Sequence, residues 1–235
     1  MTDGGNEPRA PGRGIAAWAI ASAVLMAVAI IGAFFVAPEQ ADGDIQNILY
    51  LHVPLANMSL AAFLVACVAG LLYLRRRDER YDEVVAVSVG LGLLFVVLTI
   101  ISGSIWARGS WGTWWRWQDP RLVTYLIIGL IYAAFFVLRN SSEDSSRARF
   151  SAVFAVVGFA SVPLSFYAVR RAQDFLHPTP IDSKGIHIDS GILLWLAVAQ
   201  VAVAVVFVTL LKLELLQRRT DRALGKLRRL LEDSV

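Results

Sequence analysis

Residues 84–107 read VVAVSVGLGLLFVVLTIISGSIWA, twenty-four consecutive positions without a charged side chain. A helix needs roughly 20 apolar residues to cross about 30 Å of hydrocarbon, so this run is long enough to span a membrane. Five more runs approach or reach that length: Ile15–Val36, Leu55–Leu74, Leu122–Leu138, Ser151–Val169 and Gly191–Leu211. Leu122–Leu138 is the shortest and depends on its flanks. The first run is much longer than the roughly 7 to 15 residues of a signal-peptide core, so it is kept as a span. A composition of 57% hydrophobic against 17% charged residues agrees, as does a mean hydropathy of +0.58. The predicted fold is all-α: a polytopic membrane protein with six transmembrane helices. It divides into an N-terminal extension (1–14), a six-helix membrane domain (15–212) and an amphipathic tail (213–235).

Charge placement predicts how the spans are threaded. Basic residues gather at Arg9 and Arg13, at Arg75, Arg76, Arg77 and Arg80, and at Arg139, Arg147 and Arg149. The tail adds Lys212, Arg218, Arg219, Arg222, Lys226, Arg228 and Arg229, so these segments hold sixteen of the 22 lysines and arginines. By the positive-inside rule both termini are expected to be cytoplasmic, with the first, third and fifth connections facing outward. The polar stretch Arg139–Arg149 reads as a solvated loop. From Leu213 to Leu231, leucines alternate with basic and acidic residues at helical spacing, which suggests a helix on the anionic cytoplasmic leaflet.

Several chemistries are excluded. The net charge of +3 is too small to suggest nucleic acid. The single cysteine, Cys67, allows no internal disulfide, thiol metal cluster or C-x-x-C-H haem attachment. There is no Walker A motif, so if ATP drives the process another subunit binds it.

The third connection is the most distinctive. Residues 111–117 read WGTWWRW, which with Trp106 places five of the seven tryptophans at one water-facing edge. An aromatic belt would spread its indoles over many helix ends, whereas a concentrated cluster makes a platform for a flat, amphiphilic guest. Next to it Asp119-Pro120-Arg121 opens span four. Asp119 suits the N-cap and Pro120 the first helical position, and the helix N-terminus with Arg116 and Arg121 favours anions. A capped helix whose arginines reach lipid phosphates fits these residues equally well.

All three histidines fall in the outward connections. His52 precedes Val53-Pro54, and since proline suits a helix's first turn, His52 is placed at the outer mouth of span two. His177 precedes Pro178, which disfavours helix at that position. His187 competes with His177. Two neutral imidazoles facing one another can hold a haem iron, with indoles packed around the macrocycle and the Asp119–Arg121 helix end receiving its propionates.

The stretches Ile48–Pro54 (ILYLHVP), Gly103–Trp106 (GSIW), Trp111–Trp117 and Pro120-Arg-Leu resemble the signature of the Trp-rich (WWD) cytochrome c assembly family. Within it they resemble the haem exporter protein C members of the cytochrome c maturation system. The resemblance runs from span one to span six. It implies binding of haem, non-covalently and transiently as b-type haem, at the outer face of the cell (inner) membrane, and delivery to a haem chaperone, cytochrome c maturation protein E. It also implies association with a small single-span subunit, cytochrome c maturation protein D, and with ATP-binding cassette transporter subunits. By the same matching His52 and His177 are the candidate axial ligands, and Trp111, Trp114, Trp115 and Trp117 the haem platform. Two positions depart from the pattern: Gln118 separates Trp117 from the acid Asp119, and Pro178 follows His177.

On this reading the chain is no enzyme. A transporter moving haem through the bundle is disfavoured by spans nearly free of charge, with Pro163 as their main interruption. An integral electron-transfer b-type cytochrome is disfavoured because its histidines would lie within spans, and none is expected there.

Overall fold

In a computed structural model of the chain, residues 11–38, 43–171, 181–182, 185–186 and 189–232 are described. Helix α1 spans Pro11–Phe35. A 3₁₀ helix, Gly43–Ile48, leads directly into α2, Leu49–Arg76. Then follow α3 (Glu79–Trp111), α4 (Pro120–Ser141), α5 (Asp144–Phe159), α6 (Ser161–Arg171) and α7 (Ser190–Glu232). A two-residue antiparallel ladder pairs Ile181–Asp182 (β1) with Gly185–Ile186 (β2). Six helical segments are long and apolar enough to cross a membrane, with α5 and α6 together forming the fifth. The all-helical, six-span architecture expected from the sequence is therefore present.

Two helices form the centre. Arg77 takes a left-handed conformation (φ 57°) and its N–H caps α2 through Tyr73 O at 2.8 Å, while the Asp78 carboxylate caps α3 through the Arg80 N–H at 2.9 Å. The chain thus reverses in two residues, and α2 and α3 pack along their lengths. On one side of this hairpin α4 and α5 bury Phe63, Tyr132, Phe135 and Ile128 around Val85 and Val89, with Phe63 stacked on Tyr132 at 3.6 Å. On the other, α7 adds Val203 and Phe207 to Leu55, Met58, Ala62 and Phe95. Helix α1 rests on α7 through the small residues Ala29, Ala33, Ala199 and Ala202. Another helix offers apolar surface no better than lipid does, so such close contacts and interhelical hydrogen bonds hold spans together. Ser22 and Thr209 supply one of those bonds at 2.8 Å, and Asn57 to Gln200 another at 3.0 Å.

The basic connections and the tail meet at one end of the bundle. Arg139 grips Asp82 with two parallel bonds of 2.6 and 2.7 Å and also donates to Ser151 Oγ, and Arg222 pairs with Glu83 at 2.6 Å. Arg139–Arg149 is therefore not the solvated loop expected. Arg139 still belongs to α4, Arg147 and Arg149 to α5, and only Ser142 and Glu143 separate the two helices; the Asp82 pair draws Arg139 inward, while Asn140, Ser141, Glu143, Ser146 and Arg149 stay exposed. The tail is helical as expected, but it continues α7 without a break. Span five breaks at Ala160, three residues before Pro163, whose missing N–H cannot bond to the carbonyl four residues earlier.

Candidate functional site

Helix α2 starts at Leu49, so His52 lies in its first turn and Pro54 at its sixth position. Proline was expected to mark the first turn. Instead the 3₁₀ helix feeds the chain into α2 early, placing His52 inside a helix of membrane-spanning length. His52 thus sits in the first turn of that helix, at the mouth of span two as expected.

The imidazole of His52 is half-buried against the C-terminal half of α3. Its Nδ1 lies 3.1 Å from Ser102 Oγ, and Ser102 Oγ lies 2.9 Å from Leu98 O and 3.1 Å from Thr99 O. The next residue, Gly103, leaves room for the ring: a Cβ there would stand 2.6 Å from His52 Cε1. One turn further along α3, Trp106 Nε1 donates to Gln46 Oε1 of the 3₁₀ helix at 2.9 Å. The first connection is thus tied to α3 on the same side as His52.

Glycine ends α3. Gly112 is left-handed (φ 72°), its N–H bonds to Arg108 O at 3.2 Å, and the Arg108 guanidinium donates to its carbonyl. This conformation costs glycine little and other residues more. The turned chain returns to α4 within residues 112–119 and carries the remaining tryptophans. Trp111 meets Trp106 edge to face at 4.9 Å, with the Arg116 guanidinium 5.7 Å from its ring centroid. Trp115 and Trp117 are also edge to face, at 5.8 Å. Trp114 and Trp117 are 59% and 69% exposed, whereas the Trp115 Nε1–H is buried without a hydrogen-bond acceptor among the described residues.

Asp119, only 5% exposed, caps α4: its Oδ1 accepts from the N–H groups of Arg121 at 2.9 Å and Leu122 at 3.4 Å, with Pro120 at the first helical position. The expected cap is present, and it alters one expectation. The carboxylate already takes N–H groups that a guest's propionate was to use, so attraction for an anion at this end falls to side chains such as Arg121.

The structure therefore gathers His52, Ser102, Trp106 and Trp111 at one end of α3, with Trp114, Trp115, Trp117, Asp119 and Arg121 in or beside the loop that follows. His177 and His187 lie outside the described residues. Ser102 and Gln46 escaped the reading of the sequence. Ser102 and Gly103, small residues side by side in a bulky run, were the available signal, while Gln46 offered none.

A family model described as Heme exporter protein C matches residues 9–228 of the chain. The chain belongs to the heme exporter protein C family. Its similarity to the Heme exporter protein C of Bradyrhizobium diazoefficiens is 30% identity over 207 residues, covering 86% of this chain and 78% of that protein. The protein of the same name from Paracoccus denitrificans is 33% identical over 162 residues, 68% of this chain and 67% of that one. The Escherichia coli K12 protein is 31% identical over 154 residues, 65% of this chain and 62% of the other. Membership of this family and six apolar spans make the chain a multi-pass membrane protein.

Proposed function

We propose that this heme exporter protein C family member binds haem at the extracytoplasmic face of the cytoplasmic membrane and hands it to a haem chaperone for c-type cytochrome assembly. The observation that carries the reading is a histidine held by Ser102 at the same end of α3 as a tryptophan cluster with two widely exposed indoles. An oriented imidazole supplies an iron ligand, and indole faces supply apolar surface for a flat macrocycle. Arg121, partly exposed beside the loop, adds positive charge. The relatives' printed name, exporter of heme, supports the same cargo.

Haem is cargo here, b-type, bound without covalent attachment and only for a time. His52 is one axial ligand and His177 the second, with His187 as its competitor. Release proceeds by ligand exchange: the chaperone, cytochrome c maturation protein E, offers its own ligand as a protein imidazole leaves. No bond within the macrocycle changes, so the chain acts as a binding protein and not as an enzyme. Its partners are that chaperone, the single-span cytochrome c maturation protein D, and ATP-binding cassette subunits that provide the nucleotide site this sequence lacks. Both termini and the Arg-rich end face the cytoplasm, by the asymmetry of lysine and arginine.

The word exporter also favours a second reading, passage of haem through the bundle. Polar groups within the spans tie helices to one another, as Ser59 does to Tyr125 at 2.7 Å and Asn57 to Gln200. Such pairs act as interhelical fastenings, so the outer-face reading is preferred.

Titrating the purified chain in lipid nanodiscs with ferric haem tests the proposal. Parent protein is expected to give a low-spin absorbance band that His52→Ala abolishes and His177→Ala or His187→Ala, whichever removes the true second ligand, converts to high spin. Haem should then pass to added purified chaperone. A band unchanged in His52→Ala overturns the ligand assignment, and a reversible redox signal without transfer favours the electron-transfer cytochrome.

A further inference from the structure

Ser102 Oγ has three neighbours that can all accept a hydrogen bond: Leu98 O at 2.9 Å, Thr99 O at 3.1 Å and, if bare, His52 Nδ1 at 3.1 Å. A serine hydroxyl has one hydrogen to give and two lone pairs to receive. Within a helix that hydrogen naturally bonds to the carbonyl four residues back. Three acceptors around a single hydrogen would leave lone pairs facing one another. The conflict at the ring disappears when Nδ1 carries its proton and donates it to Oγ, leaving the hydroxyl hydrogen to the two backbone carbonyls. Ser102 is 8% exposed, so solvent offers the ring little alternative on this side.

We propose that Ser102 is a positioning residue for the site: by accepting Nδ1–H it holds His52 in the tautomer whose Nε2 carries the lone pair. This rests on the reading of His52 as an iron ligand. Ligating histidines generally donate the remaining ring N–H to a second group, which sets the ring's orientation and its strength as a ligand. The group here is a neutral hydroxyl that already donates onward to the α3 backbone. It accepts less strongly than a carboxylate, so it draws less of the Nδ1 proton and leaves the imidazole a weaker donor to iron. Ser102 thereby orients the ligand without the added electron push that would oppose release. The arrangement suits a carrier that must both load and unload.

The test uses the full chain in nanodiscs, with ¹⁵N-labelled histidine, and compares Ser102→Ala, Ser102→Cys and Ser102→Thr. In haem-free protein the ¹⁵N spectrum is expected to show His52 as the Nδ1–H form in the parent and in Ser102→Thr. Substantial Nε2–H form should appear in Ser102→Ala and in Ser102→Cys, whose thiol is a weak acceptor and keeps the site filled should the alanine variant misfold. Added haem should bind the alanine and cysteine variants about tenfold more weakly, with a shifted absorbance band, and Ser102→Thr should restore both. An unchanged tautomer in both loss variants, while His52→Ala still abolishes haem binding, overturns the role of Ser102 and leaves the haem-binding reading intact. Parent-like haem binding by His52→Ala instead removes the ligand assignment, and the proposal with it.

Discussion

Replacing Gly103 with alanine asks whether the imidazole of His52 is held as tightly as its surroundings suggest. The added Cβ would sit 2.6 Å from His52 Cε1 and 3.2 Å from Nδ1, and ordinary contact begins near 3.4 Å, so ring or backbone must yield by about 0.8 Å. Directed along the Nδ1···Oγ line, that displacement stretches the 3.1 Å bond to about 3.9 Å, past hydrogen-bonding distance. The lost bond is worth about 1 kcal/mol and overpacking costs about 1–3 kcal/mol, while alanine within a helix returns about 0.5–1 kcal/mol over glycine. Gly103→Ala should therefore lower the thermal midpoint in detergent and weaken haem binding by about tenfold, the equivalent of about 1.4 kcal/mol. In a His52→Ala background the clash has no partner, and only the helix gain remains. There Gly103→Ala should raise the midpoint. Paired melting curves in the two backgrounds read the sign directly, and a shift of the same sign and size in both would refute the close packing of ring and helix.

Three other expectations concern separate parts of the molecule. Trp114→Ala and Trp117→Ala should weaken haem retention several-fold with melting temperature unchanged, since both indoles are mostly exposed; a large loss of stability would show them to be packing residues. Arg139→Leu or Asp82→Leu alone should destabilise by about 3–5 kcal/mol, because each leaves a largely buried charge unpaired, whereas the double leucine variant should recover most of the loss in a denaturation cycle. Cysteines placed at the exposed positions Gln118 and Glu143 should react with a membrane-impermeant maleimide from opposite sides, Gln118 in intact spheroplasts and Glu143 only after lysis. Labelling of both from one side would contradict the threading.

The spans were legible because a run such as 84–107 leaves the chain no alternative to lipid or protein burial, and Asp119-Pro120 announced a capped helix in its own chemistry. What sequence misjudged were places where tertiary contacts outweighed local preference. Pro54 was read as a helix start, yet the 3₁₀ turn before it, with Gln46 fastened to Trp106, lets α2 begin five residues earlier. Arg139 looked like a loop cation until Asp82, fifty-seven positions away, was seen to take both of its guanidinium branches. Similarly, Ser102 reads as one more small residue in a span. Its relation to His52 crosses fifty positions and depends on α2 and α3 packing in one register.

That register links the two ends of the bundle. Helix α3 carries Asp82 and Glu83 in its first turns, paired with Arg139 and Arg222, and Ser102, Gly103 and Trp106 in its last. Anchoring its first turns to α4, α5 and α7 sets the axial position of α3, and at about 1.5 Å of rise per residue a slip of even one residue would carry Ser102 beyond reach of Nδ1. The ion pairs thus fix α3 at the end opposite the imidazole, while Trp114 and Trp117 remain exposed beside its other end. On the proposed reading of His52 as a ligand, a ring fixed from below and an aromatic rim open above would differ in the way a carrier requires: the fixed element would set where iron sits, and the open one would leave a face through which a partner could reach it. If so, Asp82→Leu should change the absorbance band of bound haem even in molecules that remain folded, and the double variant with Arg139→Leu should restore it. A band indifferent to Asp82 would mean that α2 and α3 hold their register without help from the basic end.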